Sequence, residues 1–167
     1  MTEVDLAYIA GLMDGEAYVG IKKTRAYKCQ GRVSPGYHAR IQIRMVDEAA
    51  IRFIATILGG WYYKEKPSVA QGRPLYCYQT SDAKAEEILR LVLPYLRVKR
   101  ATAETVLRLR ELQGHGKEFR TKVTGYRSMP GYRGGPRIMP NLAFSDEYVT
   151  MCEQLYVQCK TLNAVGI

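Results

Sequence analysis

The stretch LAYIAGLMDGEA, residues 6–17, decides the fold of this chain. Thr2 is a suitable N-cap and Asp5 stands three residues later, so the pattern predicts a helix that begins just before the stretch. A face with very little side-chain bulk lets a second helix approach closely, so we predict a helix–helix interface there. At helical spacing the inward face comprises Leu6, Ile9 and Met13, and the small face comprises Ala7, Ala10, Gly11 and Asp14.

The predicted helix ends on two acids. Asp14 and Glu16 flank Gly15, which we interpret as the helix stop, and a strand is predicted from Tyr18 onward. The C-terminal end of a helix dipole is negative, so a carboxylate there costs about 0.3–1 kcal/mol. Two carboxylates in this position favour a bound cation, and oxygen ligands suit Mg²⁺ or Ca²⁺. The alternative is an ordinary amphipathic helix with an acidic end.

Composition and charge narrow the class of protein. The chain has 167 residues and a formal net charge of +9, which is typical of one domain with an anionic partner. Nucleic acid is the first candidate for that partner and an acidic membrane surface is the second. No apolar run reaches membrane-spanning length and no signal-like segment begins the sequence, so we expect no membrane insertion and a cytoplasmic location, or an organellar one in a eukaryotic host.

The cysteines and the aromatic residues add two weaker indications. Thirteen tyrosines against three phenylalanines favour rings that are half buried and half wet, as on a nucleic-acid-binding sheet. A tyrosine-rich core is the alternative. No metal-binding or redox spacing is present, so reduced and buried thiols are expected at Cys29, Cys77, Cys152 and Cys159.

Residues 37–45 form the clearest predicted strand, because apolar and polar side chains alternate along them. The polar side chains of this strand include no acid, so we predict that their face reads DNA; a solvated sheet face is the alternative. Arg and Gln pair with guanine and adenine in the major groove, which admits a two-stranded ribbon. With the outward residues of the first strand and of a third strand at 61–66, the predicted DNA-binding set is Lys22, Thr24, His38, Arg40, Gln42, Arg44, Tyr62, Lys64 and Lys66.

The remaining pattern predicts a single α+β domain over residues 1–167. Its order is helix, two strands, helix, two strands, helix, which gives one layer of strands and one of helices. A core of about 1–113 is followed by a basic loop at 114–140 and a C-terminal helix at 145–163. The loop is interpreted as an arm that contacts phosphate and orders on DNA, through residues such as Arg127 and Arg133.

Two stretches resemble a known family. Residues 9–17, IAGLMDGEA, resemble the LAGLIDADG motif of the homing endonucleases. The chain departs from that motif at Glu16, where the family more often has Asp, and at Ala17, where it usually has Gly. Residues 93–100, LPYLRVKR, are similar to a second stretch of the family, in which a proline and an aromatic residue precede a lysine near the active site.

The resemblance implies an αββαββα fold with an antiparallel DNA-binding sheet, and it implies residue roles. Glu16 and Lys99 would be catalytic. For Lys99 the alternative is general binding of the phosphate backbone at a basic helix start. The metal ligands would be Glu16, Asp14 and Gly15, and the metal would be Mg²⁺, with Ca²⁺ or Mn²⁺ able to occupy the same sites. The phosphate backbone would be bound by Arg97 and Arg100.

One further role stays open. Family members often carry a polar or basic residue near the start of the second helix, where this chain has Asp47 and Ile51. Gln42, Arg44 or Arg52 are the alternatives for that role.

The motif occurs once, which resembles the single-motif members of the family. Cutting both strands of a duplex requires two active sites, so the resemblance implies a homodimer on a long pseudopalindromic DNA site. It also implies a metal-dependent double-strand break with short 3′ overhangs that initiates intron mobility. A non-cleaving relative such as a splicing maturase is the main alternative, and a basic RNA-binding protein of the translation machinery is a weaker one. The dimer interface would comprise Ala7, Ala10, Gly11 and Asp14.

Overall fold

A computed structural model of the chain describes residues 1–26, 34–66, 72–129 and 137–164. Strands β1 to β4 form one antiparallel sheet in the order β1-β2-β4-β3, and β5 pairs with β6 in a separate sheet. The predicted α+β class and αββαββα order are therefore confirmed. Within the described ranges, no helix combines the length and the apolar character needed to cross a membrane. The elements are α1 (Glu3–Glu16), β1 (Ala17–Thr24), β2 (Gly36–Met45), α2 (Glu48–Leu58), β3 (Tyr62–Glu65), β4 (Leu75–Ser81), α3 (Asp82–Val92), α4 (Arg100–Gly114), β5 (Lys122–Met129), β6 (Arg137–Ala143) and α5 (Asp146–Ala164).

The core lies between one face of the four-stranded sheet and the helices packed on it. On β2, Ala39, Ile41 and Ile43 are fully buried, as the alternating pattern predicts. Ile54 from α2 and Leu89 from α3 join the same core. Burying an aliphatic side chain of this size contributes about 1.5–3 kcal/mol, so the sheet is held firmly on this side.

Helix α1 begins as predicted and ends differently. Thr2 and Asp5 form a complete capping box, in which each side chain accepts a hydrogen bond from the other residue's amide. The helix runs through Glu16, and Ala17 passes directly into β1 with an extended backbone (φ −86°, ψ 145°). Gly15 is therefore not the helix stop, because a helix that runs straight into a strand needs no left-handed residue at its end.

The predicted outward set of β3 is wrong by one residue. Tyr62 pairs with the buried Tyr78, so Tyr62 and Lys64 belong to the side of the sheet that the helices cover. Tyr63 and Glu65 take the outer side instead. Three aromatic residues in a row give no alternating signal at the start of this short strand. A shift of one residue then exchanges the two faces.

The predicted basic loop is not a continuous loop. Helix α4 runs through Gly114, the first residue of that predicted loop, and β5 and β6 pair as an antiparallel hairpin. An ion pair between Lys122 Nζ and Asp146 Oδ1 (2.8 Å) joins the hairpin to α5. The sequence did not indicate the hairpin, because strand pairing depends on register and turn geometry, and a Gly- and Pro-rich sequence does not specify either clearly. Arg127 lies in β5, and Arg133 lies outside the described residues.

Helix α5 covers the edge of the sheet at β1. Ser145 caps its start, since Ser145 Oγ accepts from the amide of Tyr148 (3.2 Å). Near its other end, Asn163 Nδ2 donates to the backbone oxygen of Val19 (3.0 Å), which satisfies a carbonyl group on the edge strand. The thiols are free and buried at Cys77, Cys152 and Cys159, as predicted, while Cys29 lies outside the described residues.

Replacing Ile51 with alanine tests the packing of α2 on the sheet. Ile51 is fully buried, so its truncation leaves a cavity and should lower the free energy of unfolding by about 2–5 kcal/mol. Thr56→Ala, on the exposed side of the same helix, is the control and should change it by less than about 0.5 kcal/mol. Urea unfolding gives both values. Equal effects of the two substitutions would contradict this packing.

Candidate functional site

The carboxylate of Asp14 joins the end of α1 to the start of α4. Its Oδ2 accepts from the amides of Arg97 (2.7 Å) and Val98 (3.2 Å), and its Oδ1 accepts from the amide of Lys99 (2.9 Å). These three residues form a bend just before α4, and consecutive backbone amides of this kind make a concave site that favours an anion. The Asp14 carboxylate thus holds the bend that leads into α4. This role engages both of its oxygens, which disfavours the predicted metal and dimer contacts of Asp14 without testing them directly.

Lys99 lies beside the acidic turn. Its Nζ donates to the backbone oxygen of Asp14, so a cation opposes the negative end of the α1 dipole. Burial lowers the pKa of Lys99, and the negative charges of Asp14 and Glu16 oppose that shift. The fold therefore joins two stretches that are 85 residues apart into one charged cluster. The catalytic role of Lys99 stays a prediction.

Glu16 is the acid that remains exposed at the end of α1. Within the described ranges, no group of three or more His, Cys, Asp or Glu side chains is placed to hold a metal ion. One chain offers the Glu16 carboxylate and nearby backbone carbonyls such as that of Gly15. These oxygen donors suit Mg²⁺ or Ca²⁺, but a single acid is a weak ligand set for either ion.

Helix α1 exposes apolar side chains on the face away from the core. Val4 is 77% exposed and Tyr8 is 51% exposed, and a Cβ added at Gly11 would meet nothing within 4 Å. Ala7 lies on this open face. Ala10 is fully buried, so its predicted place in a dimer interface is wrong; it falls among the core residues of the helix. Apolar faces left in water usually mark a contact with a partner.

The outer face of the sheet carries the polar row of β2, as predicted. Cross-strand pairs place Arg40 beside Gly20, Gln42 beside Tyr18 and His38 beside Lys22. By register, the residues of this face are Tyr18, Gly20, Lys22 and Thr24 on β1, His38, Arg40, Gln42 and Arg44 on β2, Cys77 and Gln79 on β4, and Tyr63 and Glu65 on β3.

Groups from neighbouring strands hold the cations of this face. Arg40 Nη2 donates to Gln79 Oε1 (2.7 Å), and Arg44 Nη2 lies 3.0 Å from Glu65 Oε1. The expectation that this face carries no acid is therefore wrong. That expectation was based on β2 alone, and β3 contributes Glu65 to the same face. Gln79 was missed as well, since β4 shows no clear alternation. The two guanidinium groups are oriented before any ligand binds.

Tyr18 is a residue of this face that the sequence pattern did not single out. Its ring lies over Gly20, where an added Cβ would overlap the phenol oxygen. Gly20 therefore makes room for the ring. Burial raises the pKa of the Tyr18 hydroxyl, with smaller contributions in the same direction from Cys159 and Tyr156. The hydroxyl is therefore a neutral donor on the outer face.

The other predicted phosphate-binding residues lie outside the sheet. Arg97 and Arg100 are exposed next to the start of α4, and Arg100 Nε lies 3.3 Å from Glu104 Oε1. Lys66 is exposed just after β3. Exposed ion pairs are weak, so the pairing of Arg100 leaves it available to another anion.

Asp14 and Glu16 should differ in their effect on stability. Asp14→Ala leaves the amides of Arg97, Val98 and Lys99 without their acceptor and should lower the free energy of unfolding by about 2 kcal/mol. Glu16→Gln removes an exposed charge and should change it by less than about 0.5 kcal/mol. Urea unfolding of both variants provides the comparison. A similar loss in both would refute this structural role of Asp14.

No protein-family model matches the sequence, and no curated protein matches it. Solved structures do match. The homing endonuclease I-CvuI, in complex with an I-CreI target, is 15% identical with a TM-score of 0.64, covering 96% of this chain and 82% of that chain. The homing endonuclease I-TnaI is 11% identical with a TM-score of 0.58, covering 95% and 93% of the two chains. The LAGLIDADG meganuclease I-AabMI, bound to uncleaved DNA, is 19% identical with a TM-score of 0.51, covering 68% and 38%. The chain therefore has the fold of the LAGLIDADG homing endonucleases.

Proposed function

We propose that this chain is a site-specific DNA endonuclease of the LAGLIDADG homing type that acts as a homodimer. The observation that carries the proposal is the end of α1, where exposed Glu16 lies near Lys99 and next to the open apolar face of the helix. Two structures of the same fold support it. I-CvuI was solved with its DNA target in the presence of Ca, and the group I intron-encoded homing endonuclease I-CeuI was solved with DNA.

The homodimer would form through the open face of α1. Burying Val4 and Tyr8 against a second copy removes apolar surface from water, at about 25 cal/mol per Å². Ala7 and Gly11 carry little bulk, so the two helices would approach closely. Two-fold symmetry would then set two copies of Glu16 close to the axis, one for each DNA strand.

The acidic turn would hold the divalent cation and the reacting phosphate. Glu16 and the carbonyl of Gly15 would bind the ion, with Mg²⁺ as the working metal and Ca²⁺ or Mn²⁺ as substitutes. When bound, such an ion supplies a water of lowered pKa and neutralises charge at the phosphate. Lys99 would stabilise the charge that develops on the scissile phosphate. Asp14 would hold Lys99 in place by accepting a hydrogen bond from the Lys99 amide, and it would not bind the metal.

The outer face of the sheet would lie in the major groove. An antiparallel ribbon fits that groove, and its outward side chains reach base edges. The residues proposed to read bases there are Lys22, Thr24, His38, Arg40, Gln42 and Arg44. Phosphates outside the groove would be bound by Lys66, Arg97, Arg100, Arg127 and Arg133.

The product and the biological setting are part of the same proposal. A dimer of this kind would recognise a long pseudopalindromic site and leave short 3′ overhangs, and the break would initiate intron mobility inside the cell, in the cytoplasm or an organelle. A non-cleaving relative such as a maturase would use the same basic face. Cleavage is therefore the property that separates the two functions.

Glu16→Gln tests the metal site. The DNA target is first selected from a randomised duplex library with Ca²⁺ present, and cleavage is then measured with Mg²⁺. The variant should cut more than about a hundredfold more slowly, because it loses the charged ligand. Its affinity for the target should be equal or higher, because one negative charge beside the phosphates is removed.

Glu3→Gln is the matched control, because Glu3 is an exposed acid at the opposite end of the same helix. It should cut like the wild type. Equal cutting by wild type and Glu16→Gln would reject the metal assignment. Binding without cutting by the wild type, with Mg²⁺ and with Mn²⁺, would favour the non-cleaving alternative.

Gly11→Leu tests the dimer interface. A side chain at Gly11 meets nothing within the chain, so the variant monomer should fold, with a gain of up to about 1 kcal/mol from helix propensity. Across the proposed interface the same side chain would separate the helices, so sedimentation should report a monomer. Gly114→Leu, at the end of α4, also meets nothing within 4 Å and should stay dimeric. A dimer in both variants would refute this interface.

A further inference from the structure

His38 stands at one end of the outer face and is held there by a carboxylate from α3. Its Nδ1 lies 3.1 Å from Asp82 Oδ2. The other ring nitrogen, Nε2, lies next to Gly36, where an added Cβ would come within 3.0 Å of it. The absence of a side chain at Gly36 therefore leaves room for the ring, and within the described residues Nε2 makes no hydrogen bond.

Asp82 has an unusual backbone. Its φ is +50°, and in the described part of the chain no other residue except glycine has a positive φ. Such a conformation persists in a non-glycine residue only where the surroundings fix it. This conformation falls where β4 passes directly into α3, and the Asp82 side chain reaches from there to His38 on β2.

The surroundings of Asp82 close into a ring of polar contacts. Arg110 Nη1 lies 4.0 Å from Asp82 Oδ1 and donates to Gln113 Oε1 (2.6 Å). Gln113 Nε2 donates in turn to the backbone oxygen of Tyr37 (2.6 Å), the residue before His38. Both the imidazole and the backbone that carries it are therefore fixed from α3 and α4.

We propose that Asp82 is a positioning residue that decides which ring nitrogen of His38 meets the DNA. An ionised carboxylate accepts hydrogen bonds only, so it holds the proton on Nδ1 and leaves the Nε2 lone pair facing outward. An outward acceptor pairs with an amino group, which adenine and cytosine present in the major groove and guanine and thymine do not. His38 then selects an amino base over a keto base at one position of each half-site. This inference rests on the proposed DNA-binding function.

Asp82→Asn is the test variant. Asparagine tolerates the left-handed conformation, so the fold should be kept. Its amide can accept from Nδ1–H or donate to bare Nδ1, so both ring tautomers become possible. Asp47→Asn is the matched control, because Asp47 caps α2 away from this network and asparagine caps a helix equally well.

Two measurements test the proposal. Long-range proton–nitrogen NMR spectra at mildly alkaline pH report the tautomer, and the chain has only two histidines, so a His38→Gln variant assigns the signals. Sequencing of DNA bound from a randomised library reports base preference. The wild type should show the Nδ1–H tautomer and a preference of about tenfold for an amino base at one position. Asp82→Asn should show both tautomers, and its preference for an amino base should fall to about twofold.

The outcomes separate this inference from the proposed function. An Nε2–H tautomer in the wild type, or an unchanged base preference in Asp82→Asn, would overturn the role of Asp82 while DNA binding stands. The role of Asp82 would also be overturned if Asp82→Asn and the control Asp47→Asn lost the same amount of base preference. A wild type that binds no DNA would remove the proposed function and the base selection with it, even where the spectra show Asp82 controlling the ring.

Discussion

The hydrogen bonds from the start of α4 to the Asp14 carboxylate are the constraint on which the site depends. A carboxylate at the end of α1 is poorly placed with respect to its own helix, because that end of the dipole is negative. The structure resolves the conflict with the bend before α4, where the amides of Arg97, Val98 and Lys99 donate to the two oxygens. The Lys99 ammonium donates to the backbone carbonyl of Asp14 as well. The cation that the sequence leads one to expect at Asp14 is supplied by the chain itself.

This arrangement gives the two acids of the turn different roles. Residues two apart on a helix point about 160° from each other, so the side chains of Asp14 and Glu16 leave α1 in nearly opposite directions. The Asp14 carboxylate binds the bend before α4, while Glu16 is exposed. Lys99 is a neighbour of both acids, since its amide binds Asp14 and its ammonium lies within electrostatic range of Glu16. Under the proposed function, Glu16 would bind the metal and Lys99 would supply the positive charge beside the scissile phosphate.

Predictions succeeded where the signal was local. The capping box of α1 and the alternation of β2 each depend on residues that are close together in the sequence, and both predictions were confirmed. Predictions failed where a distant segment decides the outcome. The register of β3 depends on its pairing with β4, the role of Asp14 depends on residues far along the chain, and β5 and β6 depend on one another. Ala10 failed for a related reason, since a small residue suits a tight core and a helix interface equally well.

Under the proposed function, the open face of α1 would link dimer assembly to the chemistry of cleavage. The described residues of one chain bring no set of acids together for a metal, and the single exposed acid of the turn comes at the end of the helix that also carries the exposed Val4 and Tyr8. Because α1 is a continuous helix through Glu16, the geometry of any contact on its face fixes the position of that acid within a few ångströms. Under the proposed homodimer, burial of the apolar face would therefore complete the metal site in the same step. An acid on a loop would lack this coupling, which gives a physical reason for placing it on the last turn of a rigid helix.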